Sequence, residues 1–315
     1  MTAQEDRLPL FPDDDDAPAD EAKQERQRKN PRNTLNDLSG TEWIKSTKSW
    51  LICDSRRYHA NRDTELHPAR YPEELVAEFI RFFSQRGEWV LDPFCGSGAT
   101  LVAAAEEQRN ALGIEITPHY AEMTRGRLAA MDASLRTRAE VVRGDARDVA
   151  DRALWDDVAD LPRGEAGLPQ FDFIMTSPPY WDMLRKSRGG VHSTHKQRAE
   201  EGLHTDYGDV EGNLGRVEDY DAFIEELGGI FASCGSLLRN RRYMVVVVQN
   251  VRVPEGYVRP LAWDLARRVS EAPGLTFQGE RIWCQDSKKL GIWGYPTTFV
   301  PNYHHHYCLI FRRED

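Results

Sequence analysis

From Glu88 to the end of the chain, seven short apolar runs alternate with stretches of helical period, and few folds accommodate that alternation. The runs are Glu88–Asp92, Ala111–Ile116, Ala139–Asp145, Phe171–Thr176, Tyr243–Val251, Phe277–Trp283 and His306–Phe311. A run that is apolar at nearly every position has both faces buried, which is the habit of a strand inside a parallel sheet. Helical periods at YPEELVAEFIRFFSQRG, ATLVAAAEEQRN, Pro118–Met131, VEDYDAFIEELGGIFASCGSLL and Pro260–Ser270 supply the crossovers. No helical period separates the last two runs, which are expected to form an antiparallel hairpin. The expected architecture is α/β: a doubly wound, mostly parallel, seven-stranded sheet with an antiparallel edge hairpin.

Residues 1–35 carry the aspartate run Asp13–Asp16, several prolines and little to bury, and are expected to be a disordered acidic tail. Residues 36–315 form the expected folded domain. Within it, residues 183–217 are polar and glycine-rich without a clear period, as befits a functional loop. No run approaches eighteen apolar residues, so no membrane helix is expected. The opening residues lack the basic-then-apolar order of a secretion signal. Five scattered cysteines without a CxxC pair argue against a disulfide framework or a zinc finger, and point to a reduced, cytoplasmic chain. The net charge of −10 requires that any nucleic-acid contact be local.

The turn DPFCGSG (Asp92–Gly98) joins the first of these strands to a helix, the place where a doubly wound sheet holds its ligand. Asp92, Pro93, Phe94, Gly96 and Gly98 are candidate binding residues. The glycines let backbone approach a ligand, and the helix behind them presents free N–H groups. The GxGxxG spacing of a nicotinamide site is absent. Glu115 ends the next strand, where it can accept from two ribose hydroxyls. Asp145 ends the third, where it can receive an adenine amino group.

TSPPYW follows the fourth strand. An aromatic amino group is a poor nucleophile because its lone pair is delocalised, and acceptors set around its protons favour a tetrahedral nitrogen. Ser177 Oγ and the Pro178 carbonyl are such acceptors, Pro178 and Pro179 stiffen the turn, and Tyr180 offers a ring for stacking. A base inside a duplex must be turned out to reach such a pocket.

Together, DPFCGSG and TSPPY resemble the amino-methyltransferase family of DNA modification enzymes, whose members are Rossmann-like and use S-adenosylmethionine. HPARYPEEL resembles that family's further cofactor motif, which implies a place for His67 at the methionine end. YHHHYCLIFRR resembles its last strand. The resemblance covers about residues 60–315, with poor match at 183–217. In that family a serine at the first catalytic position implies cytosine N4 as the target, with adenine N6 or an RNA base amino group as alternatives. It implies DNA as partner, and the basic, irregular 183–217 loop offers Arg185, Lys186 and Arg188 as candidate contacts. Little chain is free for a separate recognition region. Target reading is therefore expected from that loop, from residues 36–66, or from a partner subunit or second copy. No metal is required. His304, His305 and His306 alternate faces on a strand and cannot share one ion.

Overall fold

Every one of the seven apolar runs forms a strand, the inner ones buried at nearly every position and those towards the sheet edges only in part. The computed structural model describes residues 28–53, 71–132, 137–164, 166–181, 210, 212–288 and 290–315. In chain order these form α1 (Gly40–Ser46), β1 (Trp50–Ile52), α2 (Glu73–Phe83), β2 (Trp89–Asp92), α3 (Ala99–Glu106) and β3 (Asn110–Glu115). Next come α4 (Pro118–Ala129), β4 (Ala139–Arg143), β5 (Phe171–Thr176), α5 (Tyr220–Ser236) and β6 (Leu238–Val248). A small ribbon of β7 (Val251–Arg252) and β8 (Val258–Arg259), then α6 (Leu261–Ser270), β9 (Leu275–Cys284) and β10 (His305–Arg313), complete the order.

The main sheet runs β1-β9-β10-β6-β5-β2-β3-β4. Its neighbours are parallel except where β10 meets β6 and β9. Among the described residues the sheet therefore has eight strands where seven were expected. The extra strand, β1, is only three residues long, too short to register as a run, and it lies parallel to β9. The late hairpin is present, but β1 rather than β9 forms the outer edge.

Strand β6 shows why the sheet is covered on both sides. Val245 and Val247 point into one apolar cluster with Phe79, Phe83 and Phe173, while Met244, Val246 and Val248 point into the other with Phe231 and Leu265. Helix α2 contributes Leu75, Val76, Phe79, Ile80 and Phe83 from one stripe, begins after Pro72 and is followed by a turn at Gly87, where φ is 82°. Residues 28–35, assigned to the tail by sequence, include Leu35, which packs against the cluster holding α2. Beside it the buried Asn36 donates to the Phe82 carbonyl at 2.6 Å. The rest of the assigned tail lies outside the described residues.

The chain runs from β2 outward to β3 and β4, then returns to β5 on the other flank of β2. The reversal puts a crevice at the carboxyl ends of β2 and β5, the usual ligand position in such a sheet.

Candidate active site

The crevice is a cleft with about 770 Å³ of empty space, its open mouth included, a size suited to a nucleoside-sized ligand. One wall is the turn after β2: Pro93, Phe94, Cys95, Gly96 and Ser97. The floor is the end of β3, with Ile114, Glu115 and Ile116. Gly144, Asp145 and Ala146 close the far side, and Ser177 and Pro179 close the near one. Gly96 and Ser177 thus line the same cleft, as the two turns require if they are to act on one another.

Glu115 is almost wholly buried. Its Oε2 accepts from the Gly96 N–H at 2.9 Å and its Oε1 from the Thr117 N–H at 2.8 Å. Burial raises its carboxyl above the ordinary value, opposed by these backbone hydrogen bonds. The Thr117 side chain also donates to this carboxylate, which keeps some acceptor capacity for a ligand hydroxyl. Gly96 adopts a φ of 51°, and its carbonyl accepts from Thr124 Oγ1 at 2.8 Å, so the turn is fixed from both sides. Cys95 lines the cleft as a buried thiol whose pKa burial pushes well up, next to Glu115 and Asp92.

Two residues expected in the cleft stand behind it. Asp92 is 1% exposed, and its carboxylate is taken up within the protein. Oδ2 accepts from the Tyr71 hydroxyl at 2.9 Å and from Thr100; Oδ1 accepts from Thr176 at 2.6 Å and from the Phe94 N–H at 3.1 Å. Desolvation raises its pKa against the pull of these donors. Asp92 therefore clasps the site together and does not line it. Gly98, with a φ of 80°, caps α3 and presses on Thr124: a Cβ there would lie 2.6 Å from Thr124 Cγ2. Its job is close packing, again not contact with the cleft.

Asp145 lines the cleft with its carboxylate held by Arg147, whose N–H and Nη1 donate at 2.9 and 2.7 Å. Arg147 also donates to Glu226 on α5 at 2.5 Å and to the Gly212 carbonyl. The segment Gly212–Leu214 covers the cleft here, with Gly212 at φ 89° and its Cβ position 3.0 Å from Asp145 Oδ2. Sequence reading gave these residues to the recognition loop. Nothing local in GNLG marks them as a cover for the ligand crevice. Tyr71 was likewise missed, although it sits inside the HPARYPEEL motif.

At the second turn, Ser177 Oγ donates to the Val247 carbonyl at 3.2 Å and lies 2.9 Å from Tyr180 Oη. A serine has one hydroxyl proton. With that proton on Val247, Tyr180 donates to Ser177, and Ser177 faces the cleft as an acceptor. Tyr180, expected to offer its ring for stacking, is 6% exposed and instead braces the serine. Pro178 is buried, and Pro179 reaches the cleft. Behind Tyr180 stands His306, 6.1 Å away between ring centroids, and His306 stacks on Trp283 at 4.4 Å. His67, Arg185, Lys186 and Arg188 lie outside the described residues.

Sheet order, crevice and paired turns together define a mixed, doubly wound α/β fold with its ligand crevice where the strand order reverses. The comparisons narrow it: residues 6–126 match the family model described as DNA methylase. The Type II methyltransferase M.BglI of Bacillus subtilis is 41% identical over 91 residues, which take in 28% of this chain and 24% of that one. M.MthZI of Methanothermobacter thermautotrophicus is 33% identical over 87 residues, again 28% and 24% of the two chains. M.MjaI of Methanocaldococcus jannaschii is 43% identical over 67 residues, 21% and 22%. The match spans about a quarter of the length of these relatives. The resemblance to the DNA amino-methyltransferase family, read from the two turns, stands. Among the described residues no helix is long and apolar enough to cross a membrane.

Proposed function

We propose that this chain is an S-adenosylmethionine-dependent DNA methyltransferase that modifies an exocyclic base amino group, with cytosine N4 the favoured target. The observation that carries the reading is the shared lining of one cleft by Gly96 and Glu115 on one side and Ser177 and Pro179 on the other.

The groups present fit the cofactor. Glu115 presents its carboxylate where it would meet the ribose hydroxyls. Asp145 stands a strand away to receive the adenine amino group, between Ile116 and the cover segment. The backbone of Gly96 and Ser97 lies close enough for the methionine end to rest on it. When bound, S-adenosylmethionine supplies an electrophilic methyl group on sulfur.

The chain's own contribution is to hold the acceptor nitrogen. Ser177 Oγ, oriented by Val247 and Tyr180, accepts a hydrogen bond from the target amino group and draws its lone pair out of the ring. The cofactor, held by Glu115, Asp145 and the Gly96–Ser97 backbone, would supply its methyl group to that nitrogen, and the surplus amino proton would pass to solvent. The hydroxyl needs no reorganisation, because two neighbours already fix it. Arg185, Lys186 and Arg188 are assigned to phosphate contact. Serine at position 177 favours cytosine N4 through the family likeness. A carboxylate or amide there would favour adenine N6.

The test is modified-base sequencing of DNA from cells with the protein, without it, and with Ser177→Ala. N4-methylcytosine at one short motif, lost without the protein and in the variant, is expected. N6-methyladenine at such a motif would retain the enzyme class and change the base. Identical modification in all three strains would refute the proposal.

A further inference from the structure

Residues 285–304, which join β9 to β10, hold large apolar side chains out in water. Leu290 is 77% exposed, Ile292 87%, Tyr295 83% and Phe299 87%. A slack loop would fold such groups against itself or the sheet. This segment is instead framed by its own hydrogen bonds. Asn302 grips Gly291 through both of its amide atoms, at 2.8 and 2.9 Å, and also accepts from Trp293 Nε1 at 3.1 Å. Lys288 Nζ donates to the Tyr303 carbonyl at 2.8 Å, and Gln285 N to the His304 carbonyl at 2.7 Å. Gly294, at φ 68°, makes a turn too tight for any Cβ, which would lie 2.2 Å from the Thr298 carbonyl. The frame keeps the apolar tip raised, and exposed apolar patches of this kind mark binding surfaces.

The place of the loop narrows what it binds. Strand β10 is antiparallel to β6, with Tyr307 opposite Val248, so the loop rises at the end of the sheet where β6 stops. Thr176 pairs with Val246, and Ser177 bonds the Val247 carbonyl, at that same end. Contacts run without a gap from the neck of the loop to the serine: Gln249 Nε2 to the His305 carbonyl at 2.7 Å, His306 to Tyr180, Tyr180 to Ser177. Any duplex that delivers a base to Ser177 must lie along this rim. The ribbon after β6 and the loop itself bring Arg252, Arg259 and Lys288 against Glu255 and Asp286, one positive charge in excess on a chain of net charge −10.

We propose that the β9–β10 loop enters the DNA duplex at the target site, where Leu290, Ile292 and Phe299 fill the space left by the base turned out to Ser177. Apolar side chains placed between base steps unstack a duplex, and a filled gap holds the extruded state open. This rests on the DNA reading above, and it gives target extrusion to a segment apart from residues 183–217.

The test uses the full chain and the site located by sequencing. Leu290, Ile292 and Phe299 are changed together to serine; all three are exposed, and thermal unfolding and S-adenosylmethionine affinity should stay as in the unaltered protein. Transfer of a tritiated methyl group is measured on two duplexes: one with the normal partner opposite the target base, one with an abasic site there. The variant should lose at least tenfold in kcat/KM on the paired duplex and stay within about threefold on the other, whose target needs no prising out. Unchanged turnover on the paired duplex overturns the proposal. So does an equal loss on both, which would make the loop a plain grip, and so does a dimer that the substitutions split, which would make a second copy its occupant. Absence of transfer by the unaltered chain to either duplex removes the DNA reading itself, and this inference with it.

Discussion

Thr176 Oγ1 donates to Asp92 Oδ1 across 2.6 Å, and by that bond the end of β2 is tied to the end of β5. Both residues are buried, and Asp92 also collects Tyr71, Thr100 and the Phe94 N–H. Thr176→Val keeps the shape and removes the donor. The loss of one hydrogen bond to a buried carboxylate costs about 1–3 kcal/mol. Urea unfolding should show that decrease, together with weaker cofactor binding and slower turnover, because both turns hang from the same bond. Wild-type stability in this variant would deny the clasp its part.

Arg147 holds three pieces of the cleft at once: Asp145, the Gly212 carbonyl and Glu226 of α5. Arg147→Ala should free both the Asp145 carboxylate and the cover over the crevice. We expect S-adenosylmethionine affinity to fall roughly tenfold, about 1.4 kcal/mol, with kcat at saturating cofactor held within about threefold. Calorimetric titration reads the first and steady-state kinetics the second. A large fall in kcat at unchanged affinity would place Arg147 with the chemistry instead.

Gly98 leaves no room for a side chain and has a left-handed φ. Gly98→Ala should cost about 3 kcal/mol, from backbone strain and from overlap with the Thr124 methyl. Thr124→Ser removes that methyl while keeping the hydroxyl that binds the Gly96 carbonyl. The double variant should therefore recover part of the loss, a coupling that a denaturation cycle measures. Strict additivity would show that the two residues do not press on each other.

His306 is packed flat on Trp283, and its Nδ1 is sealed off without a hydrogen-bond partner among the described residues. Burial, helped by the charges of Lys288 and His305, pushes its pKa down to about 3. In the unfolded chain the ring titrates near 6.5. Between those values the unfolded state takes up a proton that the folded state refuses, so this contribution to stability is complete above about pH 6.5 and is lost as pH falls towards 3. At pH 5 the loss is on the order of 2 kcal/mol. His306→Phe preserves a stacked ring and abolishes the titration. The stability difference between pH 7.5 and pH 5 should shrink by that amount, and an unaltered difference would contradict the assignment.

The inner strands were legible because burial on both faces makes them apolar throughout, which is a local signal. Their ends were less so. Strand β6 begins at Leu238 and not at Tyr243, since Arg239 and Arg242 enter the sheet paired with Asp172, and charged residues hide a strand from an apolar pattern. The two turns were legible because glycine and proline leave a mark wherever backbone must bend tightly. What could not be read was apposition. Asp92 meets Thr176 across 84 residues and Tyr71 across 21, and no spacing rule pairs them. A strand-end acid followed by glycines suggested ligand contact, and the fold used it for internal tension. The cover at Gly212–Leu214 was hidden for the same reason: its neighbours Asp145 and Ile116 are near only once the sheet is built.

The short strand β1 gives the molecule a timetable. Trp50, Leu51 and Ile52 pair only with the far end of β9, and Arg281 reaches back to the Lys48 carbonyl across 233 residues of chain. On a ribosome adding about 5–20 residues each second, that partner emerges roughly ten to fifty seconds later. The strands from β2 to β6 can assemble as they appear, whereas this early segment must wait with its backbone unpaired. Cells at low temperature, where synthesis slows, should lean most heavily on chaperones for exactly that interval's worth of exposed chain.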